Sequence, residues 1–426
     1  MLLLSIFLAL VAMVCLNVPI AIALALAGVL GLYLTEGPGS LVTIALDMYD
    51  GANKFSLIAI PMFVLAGAIM NATGITQRLI AFVSALIGFV RGGLAMVNVG
   101  VSLFFAEISG SAVADVAAMG SIMIPEMKKR GYPGPFAAAI TSSSASLAII
   151  IPPSIPMILY AVSAGTSVEQ LFVAGLIPGL IGAAGLMGVS YYFAWKYDFP
   201  TEAAFNIPQL KRTFIAALPA FSLPVIILGG IFGGFVTATE GAGLAVVAAV
   251  VVGLWYREVD WKQLKEAMLD GGIQTAVVML LVAASVLMGG FLTRARVPQE
   301  IAAGILDITT NQFLILAILN VFFLIIGFFL HSAAAIILVV PIIIPLIAQA
   351  GIDPVHFGLV VTLNLAIGQQ TPPVASVLIT ACSIAKANIW DVTRVNLPFI
   401  GVLLVVLVLC TYVPAVPMFL VDLFYR

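Results

Sequence analysis

Residues 148–156 read AIIIPPSIP and residues 368–376 read GQQTPPVAS, so the pair Pro152-Pro153 recurs as Pro372-Pro373, 220 positions later. Other residues recur at the same spacing: Pro125 with Pro345, Gly131 with Gly351, Ser163 with Ser383, and Pro178 with Pro398. Because proline and glycine interrupt regular backbone, the two halves of the chain share one pattern of breaks. In a membrane protein, such paired breaks indicate a transport site between structural repeats.

The composition is that of a membrane protein. Hydrophobic residues make up 63% of the 426 residues and charged residues only 8%, whereas soluble domains carry about 25% charged residues. Charge-free apolar runs such as 277–292, 314–330 and 399–412 suit membrane helices, which need roughly 20 apolar residues to span a bilayer. The alternating pattern of a membrane β-barrel is not seen. The sequence therefore predicts an all-α polytopic protein of the bacterial inner membrane.

Several function classes find no support in the sequence. A net charge of −2 gives no support for nucleic-acid binding, and the lack of a Walker A motif argues against ATP-driven pumping by this chain alone. Cys15, Cys382 and Cys410 lie in apolar runs without metal-ligand spacing. The histidines His331 and His356 lack the convergent acids that an intramembrane enzyme needs. We expect a protein that is not an enzyme and uses no organic cofactor.

Repeat one is predicted over residues 56–194. Its apolar run 92–127 is interrupted by the polar stretch 107–111, which reads EISGS, so each half is too short to cross a bilayer comfortably. We expect a re-entrant helical hairpin there. The next segment, 133–162, is predicted to be a helix broken at 151–154, because proline removes a backbone donor and clashes with the preceding turn.

Repeat two is predicted over residues 273–420 and follows the same order. A second hairpin, 312–347, precedes a second broken helix, 354–384, which is interrupted at 368–373. Scaffold helices and a charged arm, 213–272, connect the repeats. Polar backbone at mid-membrane depth is tolerated only where it is buried in protein or lines a wet cavity. The matched breaks therefore predict one membrane transport domain with its site at the breaks.

The charges beside the hairpins indicate that the repeats are inverted. The base of the first hairpin carries Arg91 and the basic cluster 128–130, whereas the base of the second carries only the acids Asp307 and Asp353. Because basic residues favour the cytoplasmic side, the first hairpin should open from the cytoplasm and the second from the opposite side. Residues 294–296, which read RAR, do not fit this assignment.

Inverted hairpins bring half-helix ends together near the middle of the membrane. Half-helix N-termini carry partial positive charge and free N–H groups. Unwound carbonyls and half-helix C-termini suit Na⁺ or H⁺. The breaks therefore offer donors for an anionic substrate beside acceptors for a cation, which is typical of a secondary transporter.

Three stretches resemble the large membrane (permease) subunit of tripartite ATP-independent periplasmic (TRAP) transporters: FFAEISGSAVADVAAMGSIMIPEMKKRGY (104–132), GGFVTATEGAG (233–243) and NLAIGQQTPPVASVL (364–378). The resemblance covers essentially the whole chain, and the QQ before TPP is similar to the C4-dicarboxylate-type branch. It implies an elevator-type, Na⁺-driven importer of an organic acid, either a C4-dicarboxylate or a sugar acid. It also implies two partners, a small membrane subunit and a periplasmic substrate-binding protein.

The breaks and the resemblance together nominate site residues, with Na⁺ as the coupling ion and no other metal. The first cation site is assigned to Ser109, Gly110, Ser111, Ile150 and Pro152. The symmetry-related second cation site is assigned to Gly327, Gly368, Thr371 and Val374. Candidates for hydrogen bonds to the substrate are Ser144, Ser154, His331, Gln369 and Gln370.

The sequence leaves alternatives open for the roles of some residues and for the class of transporter. The small residues 109–111 could ligate a cation or simply let the hairpin turn tightly, and His331 could line the substrate cavity or cap the second hairpin. At the level of function, the rival is a self-sufficient Na⁺/dicarboxylate carrier of similar inverted-repeat architecture, which would transport without a periplasmic partner. A channel is a further alternative, and it would show flux beyond the rates of a carrier.

Overall fold

The computed structural model describes residues 2–16, 18–201, 204–257 and 261–425, and most of them are helical. The α-helices are α1 (Leu2–Cys15), α2 (Ile20–Glu36), α3 (Ile44–Ala52), α4 (Ala59–Ala72), α5 (Ile75–Ile87), α6 (Gly93–Ser109), α7 (Ala112–Lys129), α8 (Gly134–Ala145), α9 (Ile155–Ala164), α10 (Val168–Lys196), α11 (Ile207–Pro224), α12 (Gly230–Phe232), α13 (Ala238–Tyr256), α14 (Trp261–Arg294), α15 (Val297–Ile308), α16 (Gln312–Phe329), α17 (Ser332–Gln349), α18 (Pro354–Gly368), α19 (Ser376–Ala385), α20 (Ile389–Tyr412) and α21 (Ala415–Tyr425).

Eight segments among the described residues are long and apolar enough to cross a membrane. They are Phe55–Ala72, Val168–Lys196, Ile207–Phe232, Ala238–Tyr256, Leu264–Arg294, Gln312–Phe329, Ser332–Gln349 and Ile389–Tyr412. This architecture confirms the prediction of an all-α polytopic membrane protein. The N-terminal apolar stretch forms two helices, α1 and α2, which are separated near Pro19.

At both predicted hairpins two helices are joined by a very short turn. Helices α16 and α17 of the second are each long and apolar enough to cross a membrane, so re-entry stays a prediction. In the first, Gly110 and Ser111 separate α6 from α7. Gly110 has φ +57°, in the left-handed region that favours glycine, and the Ser111 hydroxyl caps α7 by accepting from the Ala114 N–H. In the second, Leu330 and His331 separate α16 from α17.

Both predicted broken helices are broken where the sequence places the proline pairs. After α8, a 3₁₀ turn at Ser146–Ile149 leads into the first break, and α9 resumes at Ile155. The second break lies between α18 and α19. The peptide bonds Pro152-Pro153 and Pro372-Pro373 are both cis, so the two breaks share a backbone feature as well as a sequence pattern.

The two repeats interlock through their hairpins. Helix α7 of the first hairpin packs against α19, the second half of the second broken helix, and α17 packs in the same way against α9. At one end the Lys128 ammonium donates to the Ala385 carbonyl at 2.9 Å. Elsewhere the Tyr160 hydroxyl donates to the Pro354 carbonyl at 2.8 Å. We call the eight helices α6 to α9 and α16 to α19 the core.

A second group of helices packs mainly on itself, and we call it the scaffold. It consists of α2, α4, α13 and α14 together with α3, which packs against α14, and the pair α5 and α11, which pack against each other. Helix α14 runs without interruption from Trp261 to Arg294, since this stretch contains no proline. The boundary predicted at 272 therefore falls inside one continuous helix, which joins the charged arm to the span that follows it.

Two basic residues that bear on the predicted topology form ion pairs. Arg91, at the base of the first hairpin, pairs with Asp198 at 3.3 Å. Arg294, which did not fit the charge rule, pairs with Glu36 at 2.6 Å.

Candidate transport site

The tip of the first hairpin lies directly against the first break. The Ile155 N–H donates to the Gly110 carbonyl at 3.2 Å, which joins the start of α9 to the hairpin turn. A Cβ built on Gly110 would lie 2.8 Å from the Pro153 carbonyl oxygen. The C-terminal end of α6 and the N-terminal ends of α7 and α9 therefore meet at one point.

The second hairpin and the second break repeat this arrangement. The Val374 N–H donates to the Phe328 carbonyl at 3.2 Å, and a Cβ built on Gly368 would lie 2.5 Å from the Gly327 Cα. The Thr371 N–H donates to the Gly368 carbonyl at 2.9 Å. The structure thus brings together all the residues nominated for the second cation site.

The first nominated set is brought together in part. Gly110 and Ser111 form the hairpin turn, and Pro152 lies in the adjoining break. The carbonyl of Ile150 lies against Gly175 on α10, where a side chain would overlap it. The side chain of Ser109 lies outside the described residues. The ligand roles of all the nominated cation-site residues stay predictions.

The two breaks differ in their exposure. Residues 150–154 are all buried. At the second break Pro373 and Val374 are exposed, with Val374 at 44% of its full accessibility, and so is His331 at the tip of the second hairpin. The first break is therefore buried within the chain, whereas part of the second break lies at its surface.

Two of the candidates for substrate contacts are engaged in local hydrogen bonds at the first break. The Ser144 hydroxyl lies 3.1 Å from Asn98 Oδ1 and 2.9 Å from the Ser102 hydroxyl, which donates to it. The Ser154 hydroxyl donates to the Ile149 carbonyl at 2.7 Å and accepts from the Met157 N–H as the cap of α9. Both residues are fully buried. Ser154 bonds across the first break, whereas Ser144 joins α8 to α6.

The other substrate candidates lie at the second break and at its hairpin. Gln369 is buried, and its side chain accepts a hydrogen bond from Ser376 at 3.3 Å. Gln370 is fully buried and lies 2.7 Å from the Ser143 hydroxyl. His331 precedes α17 and is exposed. Of the nominated substrate residues, His331 is the one whose side chain is accessible in this conformation.

Sequence reasoning missed a pair of buried amide contacts between hairpins and broken helices. Asn98 on α6 contacts Ser144 on α8, and Asn320 on α16 contacts Asn364 on α18 at 2.7 Å. Ser144 and Asn364 lie 220 positions apart, the spacing of the prolines. Thr411 on α20 extends the second contact by accepting from Asn320 at 3.1 Å. Polar residues inside apolar helices were the available signal.

The arrangement provides opposite partial charges side by side. At each break a helix C-terminus presents carbonyl oxygens and a following helix N-terminus presents N–H groups. Such ends can hold a small cation next to an anion. The described residues contain no group of three or more His, Cys, Asp or Glu side chains placed to hold a metal ion.

Comparison with known proteins gives a consistent family likeness. The family model described as "Tripartite ATP-independent periplasmic transporter, DctM component" matches residues 7–416. An isethionate TRAP transporter permease, DctMQ, of Oleidesulfovibrio alaskensis is 39% identical over 95% of this chain, which spans 64% of that protein. The C4-dicarboxylate TRAP transporter large permease DctM of Pseudomonas aeruginosa is 37% identical over 92% of each chain.

Two further likenesses extend the comparison. The 2,3-diketo-L-gulonate TRAP transporter large permease YiaN of Escherichia coli is 35% identical over 88% of this chain and 91% of that protein. The crystal structure of the YdaH transporter of Alcanivorax borkumensis superimposes with a TM-score of 0.64 over 88% of each chain at 14% identity. At 14% identity, the likeness to the YdaH transporter shows a shared fold and nothing more.

Proposed function

We propose a transport function from the premise that this chain belongs to the family of DctM components of tripartite ATP-independent periplasmic transporters. The chain is the large permease subunit of a Na⁺-coupled secondary importer in the inner membrane. Its substrate is an organic acid, either a C4-dicarboxylate or a sugar acid. A periplasmic binding protein delivers the substrate, and a small membrane subunit completes the transporter.

The proposal rests on the contacts between the hairpin tips and the breaks. Each hairpin tip is hydrogen-bonded to the break of its own repeat, through Ile155 with Gly110 and through Val374 with Phe328. Carbonyl oxygens freed from helices, together with hydroxyl groups such as that of Thr371, suit a hard monovalent cation that must bind and then leave. Because the unit recurs in both repeats, two equivalent cation sites follow.

The unequal exposure of the two breaks supports alternating access. Residues 150–154 are buried, whereas Pro373 and Val374 are exposed. A transporter built from inverted repeats opens to one side at a time as one part of it moves against the other. The self-packed scaffold and the interlocked core suggest that the core moves against the scaffold as one elevator unit.

The substrate class rests on the relatives. Their names specify isethionate, C4-dicarboxylates and 2,3-diketo-L-gulonate, all of them organic anions. A buried site for an anion needs donors, and the N-termini of α7, α9, α17 and α19 supply N–H groups at the breaks. Binding of Na⁺ nearby would offset the charge of the substrate.

The test is uptake by proteoliposomes that contain this chain and its partner subunits. Labelled C4-dicarboxylates and sugar acids would be supplied with the binding protein under an inward Na⁺ gradient. We expect accumulation of one of these acids that needs both Na⁺ and the binding protein. Uptake without the binding protein would favour the self-sufficient carrier, and uptake independent of Na⁺ would contradict the proposed coupling.

A further inference from the structure

Three polar side chains from separate parts of the chain meet in the interior. The Ser143 hydroxyl oxygen lies 2.6 Å from Asn396 Oδ1 and 2.7 Å from Gln370 Oε1, and Asn396 Nδ2 donates to Gln370 Oε1 at 3.2 Å. Ser143 belongs to α8 in repeat one, Gln370 to the second break and Asn396 to α20. All three residues are fully buried. We call them the polar clamp.

The distances identify the polar clamp as a hydrogen-bonded link. Oxygen atoms 2.6 to 2.7 Å apart are at the usual separation of O–H···O bonds. The Ser143 hydroxyl has one proton, so it donates to one of the two oxygens, Asn396 Oδ1 or Gln370 Oε1. Asn396 Nδ2 donates to Gln370 Oε1 in either case. Hydrogen bonds therefore connect α8, α20 and the second break.

Gln370 belongs to the turn that contains two residues of the proposed second cation site. It stands between Gly368 and Thr371, which are joined by the Thr371 N–H to Gly368 carbonyl bond of 2.9 Å. The direction of those carbonyl and hydroxyl groups depends on the backbone of this turn. Because the polar clamp fixes the Gln370 side chain in buried surroundings, it also restrains the turn.

The polar clamp also reaches the first hairpin. Ser143 is followed directly by Ser144, whose hydroxyl contacts Asn98 and Ser102 on α6. A continuous series of hydrogen-bonded side chains and one stretch of α8 therefore connects the second break to the first hairpin. Contiguous links of this kind can carry coupling between distant sites.

We propose that Ser143 and Asn396 are positioning residues, which hold Gln370 so that cation binding at the second break is coupled to the first repeat. This inference rests on the proposed Na⁺-coupled function. Loss of the clamp would leave the cation ligands in place but less well ordered. The affinity for Na⁺ and its cooperativity should then fall, while the maximal rate should change little.

The experiment measures uptake against Na⁺ concentration for the reconstituted transporter with the Ser143→Ala chain. Removal of one buried hydrogen bond corresponds to about a five-fold rise in the half-saturating Na⁺ concentration. We also expect the Hill coefficient to fall towards one. Ser143→Thr keeps the hydroxyl group and should restore most of the wild-type response. Rates are compared per folded transporter, as measured by gel filtration.

A matched control separates positioning from a general effect of losing a buried serine. Ser190 on α10 is also fully buried, and its hydroxyl donates to the Leu186 carbonyl within the same helix at 2.8 Å. Ser190→Ala should therefore leave the Na⁺ response unchanged. Asn396→Ala should resemble Ser143→Ala, and the double variant should show less than the sum of the two effects.

The outcomes distinguish this inference from the function on which it rests. If uptake by the wild-type transporter does not depend on Na⁺ concentration, the proposed coupling and the inference are both overturned. A Na⁺-dependent wild type with Ser143→Ala no different from Ser190→Ala overturns the inference alone. A fall in maximal rate with an unchanged Na⁺ response in both Ser143→Ala and Asn396→Ala would also overturn it, because that result indicates a purely structural role.

Discussion

Gly368, at the end of the first half of the second broken helix, lies against Gly327 of the second hairpin with no space for a side chain between them. A Cβ built on Gly368 would be 2.5 Å from the Gly327 Cα and 2.6 Å from its carbonyl carbon. Neither atom belongs to a flexible side chain that could move aside. The approach of hairpin and break therefore requires glycine at this position.

Gly368→Ala should reduce transport at least about tenfold, since overpacking a tight contact costs about 1–3 kcal/mol. The added methyl group would push the second hairpin away from the break and displace the proposed cation ligands. Uptake per folded transporter and the melting temperature in detergent measure the effect. Gly401→Ala is the control, because a Cβ there meets no atom within 4 Å. Equal transport by the two variants would refute this account of the contact.

Thr371→Ala should raise the Na⁺ requirement of uptake about three- to tenfold, as expected for loss of one hydroxyl interaction. Combining it with Gly327→Ala should raise the requirement further without preventing membrane insertion. The Thr371 hydroxyl donates to the Ile367 carbonyl at 3.1 Å. Thr393 makes the same type of bond to Ile389 at 2.8 Å, away from the breaks, and provides the control. If Thr371→Ala and Thr393→Ala show the same Na⁺ dependence, the second cation site is wrongly placed.

Much of the fold could be predicted because its determinants are local. Proline pairs and glycines mark the breaks and turns wherever they occur, and apolar runs mark the spans. The breaks at Pro152 and Pro372 and the turn at Gly110 and Ser111 therefore appear where the sequence indicates them. The continuous helix α14 was harder to predict, since its charged first part and its apolar second part differ in composition but not in conformation.

The side-chain partners could not be predicted, because they lie far apart in the chain. Gln370 looks from sequence like a substrate contact, yet its partners are Ser143 and Asn396. Ser144 likewise bonds to Asn98 and Ser102. Sequence spacing gives no information on which polar groups meet after the helices pack. A buried polar side chain needs some partner, and tertiary packing alone selects it.

Lys128→Met should lower the stability of the folded chain by about 1 kcal/mol, the typical contribution of a hydrogen bond. The Lys128 ammonium donates to the Ala385 carbonyl at 2.9 Å, near the C-terminal end of α19, where a cation is favourable. Lys129→Met is the control, since Lys129 contacts only the neighbouring Glu126 at 3.8 Å among the described residues. Thermal unfolding in detergent would show the difference. An equal loss for the two variants would mean that the bond from Lys128 to Ala385 does not stabilise the fold.

Tyr160→Phe should also lower stability by about 1 kcal/mol, because it removes one buried hydrogen bond and leaves the ring in place. The Tyr160 hydroxyl donates to the Pro354 carbonyl at 2.8 Å, which connects α9 of repeat one to the start of α18 in repeat two. Its ring packs on Gly358, so a loss of packing would be expected from Tyr160→Ala but not from Tyr160→Phe. Tyr191→Phe is the control, since Tyr191 is 50% exposed on α10. If the two phenylalanine variants unfold at the same temperature, this contact between the repeats does not stabilise the core.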